Sequence, residues 1–302
     1  MHPMSQAVVI LGASGRLGHA LCPLAAGAGF DVIAVARTPL DIEGPGNTRW
    51  ITADLTVAGD RARVATVVDA WTAGYDHVCV VDSVLDRSGV NAMRRSVQGV
   101  TDAVVGLHDR LSAGGRSWAL VAASTTAVLA PGPYQTPYGR AKRRQIITYA
   151  RSGVSGAALL LPQLTPLPCA KTACRPAWSF DQAARRLVAA ALTAPTRPGF
   201  TIRVPDLAAA ALSERIMPLS DVGTAIRTHL RSLVLERDSM QAHRAATRSR
   251  LRLAPLRLRR LIDHHLAPAA LVRRFADRYH VTVIDERTLG SSPIENGAAH
   301  AR

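Results

Sequence analysis

Three observations make this sequence a doubly wound parallel α/β sheet. Short continuous apolar runs alternate with segments of helical spacing over the first 205 residues. Each run is strand-sized and uninterrupted, as a strand buried on both faces must be. A glycine-rich turn follows the first run directly, where such folds pass from strand to helix. Strands separated by helices pair in parallel through right-handed crossovers.

The elements follow in order. Residues 7–11 (AVVIL) are the first strand, and residues 16–28 the helix after the glycine turn. Residues 31–36 (DVIAVA) and 50–52 give strands two and three. Val64, Val67, Val68 and Trp71 set a helix over 61–72, and 77–81 (HVCVV) is strand four. Val97, Val100, Val104 and Leu107, at three- and four-residue intervals, set a long helix over 91–111. Strand five is 117–122, then come a helix over 138–151, strand six at 157–161, a helix over 181–192 and a strand at 200–204. Leu219, Val222, Ile226, Leu230 and Leu233 stripe one more helix.

Composition bounds the function. The 302 residues are 48% hydrophobic and 20% charged, too apolar for a disordered chain and long enough for a large core. No apolar run reaches the roughly 18 residues of a membrane span. Residues 1–6 carry no basic leader, and glycines break the apolar run that follows, so the expectation is cytoplasmic. Of 37 basic residues 35 are arginine, a bias across the whole chain that weakens the inference from its +15 charge to nucleic acid. Cys22, Cys79, Cys169 and Cys174 form no Cys-x-x-Cys pair, and Cys169 and Cys174, five apart, have no histidine or further cysteine close in sequence to complete a zinc set, so reduced thiols and no metal are expected.

Two regions are expected: residues 6–236 as the sheet domain, and 237–302 as a basic, mainly helical extension. Residues 241–302 hold 12 arginines against five acids, and 250–260 alternate arginine with leucine around Pro255. The extension reads first as a surface whose leucines pack on the main domain or a second subunit. Contact with nucleic acid or an anionic membrane is its alternative.

Gly12, Gly15 and Gly18 lie where a buried strand becomes a helix. Glycine lets the backbone turn sharply and approach a pyrophosphate, while N–H groups at the helix start face the anion. Gly12, Ser14, Gly15, Arg16, Leu17 and Gly18 are therefore candidate dinucleotide contacts. Strand two ends in Arg37, where an acid would hold a ribose 2′-hydroxyl and a cation accommodates a 2′-phosphate. With Arg16 as a second cation, NADP(H) is favoured over NAD(H).

Tyr138 and Lys142 stand four apart at the start of the helix after strand five, on one helix face. An ammonium beside a phenol stabilises phenolate, and a tyrosine so tuned exchanges a proton with a carbonyl or alcohol oxygen. Five tyrosines and two lysines would give about 0.03 such pairs by chance.

Together these motifs resemble the short-chain dehydrogenase/reductase family over residues 6–235: the glycine turn, Ala53-Asp54-Leu55 after strand three, a serine/threonine cluster after strand five, and Tyr-x-x-x-Lys. The resemblance implies a Rossmann-like NAD(P)-binding fold, with Asp54 and Leu55 by the adenine. Tyr138 would be the acid/base, and Lys142 would bind the nicotinamide ribose. Ser124, or its rival Thr125, would bond the substrate carbonyl. Pro162 stands at the family's Pro-Gly position, with Gln163 after it and Thr165 near the nicotinamide amide. Two departures stand out: Asp82 lies where the family has an Asn-Ala-Gly turn, and is expected to bond a ribose hydroxyl, and Ser96 replaces a relay asparagine. Leu164, Trp178 and Phe180 are either pocket lining or core.

The implied activity is an NADP(H)-dependent carbonyl reductase acting on a small-molecule ketone, aldehyde or alcohol, often with paired subunits as a homodimer. Two alternatives remain: a non-catalytic NADP-sensing regulator or scaffold, and a nucleotide-sugar epimerase or dehydratase.

Overall fold

The computed structural model describes residues 5–38, 48–86, 88–129, 136–165, 177–194, 199–204, 276–279 and 282–285. Chain order is β1 (Gln6–Leu11), α1 (Arg16–Gly27), β2 (Asp31–Ala36), β3 (Arg49–Thr52), α2 (Ala58–Trp71), β4 (His77–Asp82), α3 (Val90–Ala113) and β5 (Trp118–Thr125). A short 3-10 turn, Thr126–Leu129, then leads towards α4 (Pro137–Arg151), β6 (Gly156–Leu161), β7 (Gln163–Thr165), β8 (Ala177–Ser179), α5 (Phe180–Leu192), β9 (Phe200–Val204) and β10 (Thr282–Asp285).

Eight strands form one sheet in the order β3-β2-β1-β4-β5-β6-β9-β10, and every pair is parallel. The doubly wound α/β expectation holds. β1 lies between β2 and β4, so the chain reverses its direction of travel across the sheet there, and a crevice opens beyond the carboxyl ends of those strands.

Side chains alternate across the sheet, and each face has its own core. Val78, Val80, Leu120 and Ala122 pack with Val64, Leu107, Ile146 and Tyr149 of α2, α3 and α4. Cys79, Val81, Val121 and Ala123 pack with Leu17 and Leu21 of α1 and Leu187 of α5. Each fully buried leucine of this kind contributes about 1.5–3 kcal/mol relative to an exposed one.

Three differences from the sequence reading concern the site. β5 continues to Thr125, three residues beyond the expected 122, because Ala123, Ser124 and Thr125 pair with Leu159, Leu160 and Leu161 of β6. The serine/threonine cluster therefore sits on the strand's end, not in the loop after it. β7 and β8 form a separate two-stranded ladder after β6. β10 comes from the basic extension, expected as mainly helical, and completes the main sheet beside β9, so the sheet draws residues from both sides of position 236.

No described helix is long and apolar enough to cross a membrane. The stripe at 219–233, the arginine–leucine segment at 250–260, and Cys169 and Cys174 lie outside the described residues. Cys22 and Cys79 are buried free thiols.

Candidate active site

The glycine turn forms as its composition requires. Gly12 has φ +86°, in the left-handed region. The Gly12 and Ala13 N–H groups donate to the Val35 carbonyl at 2.9 and 3.0 Å, and Gly15 N–H donates to the Gly12 carbonyl at 3.0 Å. A Cβ at Gly18 would stand 2.3 Å from the Gly12 oxygen, so only hydrogen fits where α1 meets the turn. Ser14, Gly15 and Arg16 are exposed, and Gly15 caps α1 without a side chain. The N–H groups of the first turn thus open to the crevice, a cradle that suits a pyrophosphate. Leu17 is buried in the core, so any contact it makes with a ligand comes from its backbone.

Across the crevice, Ser83 N–H and its hydroxyl both donate to the Leu11 carbonyl, at 3.0 and 2.8 Å. A Cβ on Gly12 would lie 3.1 Å from Val84, so the segment after β4 closes tightly on the turn. Arg37, at the end of β2, is exposed and pairs with Asp86 at 3.1 Å. The Ser88 hydroxyl and N–H, with help from Arg37, hold the Asp86 carboxyl below the usual range. Ser96 donates to the Met93 carbonyl and accepts from Asp86 N–H. It therefore fastens α3 to this loop.

Asp54 is half-buried after β3. Its Oδ1 accepts from the N–H and hydroxyl of Thr56, and its own N–H donates to Asp60. Leu55 is buried, and α3 presses on it: a Cβ at Gly99 would stand 2.3 Å from the Leu55 carbonyl oxygen.

α4 begins where its sequence directs. The Thr136 hydroxyl accepts from Gly139 N–H at 3.0 Å, and Pro137 occupies the first turn. This cap places Tyr138, half-buried, on the opening turn, with Lys142 one turn further on. Lys142 is 2% exposed, and its Nζ donates to Gln145 Oε1 at 2.9 Å. Burial pushes its pKa down, and the Asp82 carboxylate opposes that shift.

Asp82 differs from expectation. It was expected to bond a ribose hydroxyl, but it is fully buried, with its carboxylate engaged inside the protein. Oδ1 accepts from Val84 N–H at 3.1 Å, and Oδ2 accepts from Gln145 Nε2 at 2.9 Å and the Tyr149 hydroxyl at 3.0 Å. The cause is strand alternation, which turns Asp82, like Val78 and Val80, toward α4. Gln145 and Tyr149 escaped the sequence reading. Their signal was spacing: three and seven residues after Lys142, they share its helix face.

The same alternation separates the two hydroxyl candidates. Ser124 follows Leu120 and Ala122 onto the face that α4 covers, whereas Thr125 follows Val121 and Ala123 onto the α1 and α5 face. Thr125 Oγ1 accepts from Ala127 N–H and starts the 3-10 turn. Ser124 is 4% exposed, and its buried Oγ has no hydrogen-bond partner among the described residues. Pro162 is half-buried after β6, and Thr165 ends β7 opposite Ser179. Leu164, Trp178 and Phe180 are half-buried and pack against the α1 and α5 core.

No family model matches the sequence, and no curated protein matches it. Solved structures do match in fold. A short-chain dehydrogenase from Bacillus anthracis superposes with a TM-score of 0.50 at 17% identity, over 66% of this chain and 94% of that one. An oxidoreductase of the short-chain dehydrogenase/reductase family from Brucella ovis, in complex with a partially ordered NAD, gives 0.49 at 17%, over 67% and 100%. ElxO with NADP bound gives 0.47 at 15%, over 63% and 92%. The superposition on the Bacillus anthracis structure shows a shared Rossmann-like α/β fold, at a large distance in sequence.

Proposed function

We propose that the protein is a nicotinamide-dependent oxidoreductase that interconverts a small ketone or aldehyde and its alcohol, with NADP(H) preferred over NAD(H). The observation that carries this reading is the Ser124 hydroxyl, buried without a partner among the described residues on the face that α4 covers. A buried hydroxyl left unpaired costs about 1–3 kcal/mol, and a substrate carbonyl oxygen would supply its acceptor.

The residues then have distinct tasks. N–H groups of the first turn of α1 hold the pyrophosphate, Arg37 and Arg16 meet the 2′-phosphate, and Asp54 borders the adenine. Pro162 and Thr165 border the nicotinamide amide. Ser124 and Tyr138 hold the substrate oxygen. Tyr138 gives that oxygen its proton in reduction and removes one in oxidation. The Lys142 ammonium favours the phenolate form of Tyr138. A bound nicotinamide supplies or takes the hydride.

The test measures NADPH and NADH binding, then follows cofactor absorbance over a carbonyl panel with wild type and Tyr138→Phe. Tyr138→Phe should lose about 10²-fold or more in rate. Equal NADPH oxidation by both proteins would remove Tyr138 as the acid.

The burial of Lys142 favours a second reading, a regulator or scaffold that binds the cofactor without turnover. Tight cofactor binding with no carbonyl consumed would support it.

A further inference from the structure

We propose that Asp82, Gln145 and Tyr149 are a positioning set for Lys142, in which a carboxylate delivered by β4 keeps the α4 ammonium oriented and charged through the side-chain amide of Gln145. The reaction role of that ammonium rests on the oxidoreductase reading; the buried linkage does not.

The hydrogen bonds run in one direction only. An ammonium can only donate, and a carboxylate can only accept. The amide between them must therefore turn its oxygen to Lys142 and its nitrogen to Asp82, as observed at 2.9 Å on both sides. Tyr149 completes the set: its hydroxyl accepts from Gln145 Nε2 and donates to Asp82 Oδ2, each at 3.0 Å. All four residues are buried.

A buried ammonium without a counter-charge would lose its proton. Asp82 supplies that charge without touching Nζ, because Gln145 stands between them. The arrangement keeps Lys142 on the α4 face, where Ser124 of the neighbouring strand also points. The register pairs Asp82 with Ala122, two residues before Ser124. Around Lys142, β4 contributes Asp82 and α4 contributes Tyr149, with Tyr138 one turn back on the same helix. The Thr101 hydroxyl of α3 reaches Tyr149, and burial with the adjacent Asp82 holds the Tyr149 phenol protonated.

The chain contains only two lysines, Lys142 and Lys171, so a lysine-labelled sample of the full-length protein gives two side-chain NMR signals. Lys171→Arg assigns them. Titrating the ε-carbon shift in wild type, Asp82→Asn, Gln145→Met and Tyr149→Phe reads the Lys142 protonation constant directly. Asp82→Asn and Gln145→Met should each weaken proton binding at Lys142 about tenfold or more, one unit in pKa, and leave Lys171 unmoved. Tyr149→Phe keeps both carboxylate and amide, and should leave Lys142 charged at neutral pH. The proposal is overturned if Lys142 titrates as in wild type in both Asp82→Asn and Gln145→Met. Should Asp82→Asn not fold, an unchanged Lys142 in Gln145→Met overturns it alone. A wild type that consumes no carbonyl, while Lys142 shifts as described, upholds the linkage and removes only its catalytic meaning.

Discussion

Gly99 is the position where a single methyl group tests how closely α3 packs on the connection after β3. A Cβ there would stand 2.3 Å from the Leu55 carbonyl oxygen, 2.8 Å from its carbon and 3.0 Å from Thr56 N. Ordinary contact begins near 3.4 Å, so the helix and the β3–α2 connection must part by about 1.1 Å. Overpacking costs about 1–3 kcal/mol, and the upper end applies because the obstacle is backbone. Alanine gives back about 1 kcal/mol of helix propensity, for a net loss of about 2 kcal/mol. Gly106 lies on the same helix with nothing among the described residues within 4 Å of its Cβ position. Gly106→Ala collects the propensity gain without the collision, so the two variants should differ by about 3 kcal/mol. Thermal and urea unfolding would measure this, with Gly99→Ala falling about 4–8 °C and Gly106→Ala rising. A Gly99→Ala protein as stable as Gly106→Ala would refute the close approach of α3 to Leu55.

Three further predictions follow from the site. Ser124→Ala should leave thermal stability unchanged or raised, since it deletes a buried hydroxyl with no partner among the described residues, while kcat/KM falls about 10²–10³-fold; a destabilised variant would contradict the missing partner. Asp86→Asn removes the counter-charge of Arg37 and should tighten NADPH binding by up to about fivefold with NADH unchanged, measured by calorimetry. Equal gains for both cofactors would remove Arg37 from the 2′-phosphate site. Burial pushes the thiols of Cys22 and Cys79 up to about 11 and about 12 from an ordinary 9.0. Folded values above unfolded ones mean that their stabilising effect is complete below pH 9 and is lost as pH rises through 11 and 12. Urea midpoints at pH 8 and 10.5 should therefore separate more in wild type than in a Cys22→Ser, Cys79→Val double variant; equal separation would count against the burial effect.

The legible part of this protein was its periodic part. β2 spans Asp31–Ala36 as its apolar run indicated, and β1 and β4 differ by one residue. β5 was read too short because Ala123, Ser124 and Thr125 lack the bulk that marks a strand. Its pairing with three leucines of β6 decides the matter instead. β7, β8 and β10 have three or four residues each and exist through distant partners, which no local window contains. Tyr138 and Lys142 were visible because they repeat a spacing. The surroundings of Lys142 were hidden because Asp82 reaches Gln145 across 63 positions of sequence. Ser124 and Thr125 face opposite sides of the sheet by strand parity, which the sequence contains once β5 is known to extend through both.

The strand at Thr282–Asp285 sits 78 positions beyond the end of β9, yet it is the outermost rung of the sheet. Whatever path the intervening stretch takes, it must bring the polypeptide back to seal β9. A protein shortened before residue 282 would carry a raw hydrogen-bonding edge along Phe200–Val204, open to pairing with other molecules. Clumping of such a shortened form would then report an uncovered margin of the sheet, and not the loss of an arginine-rich binding arm.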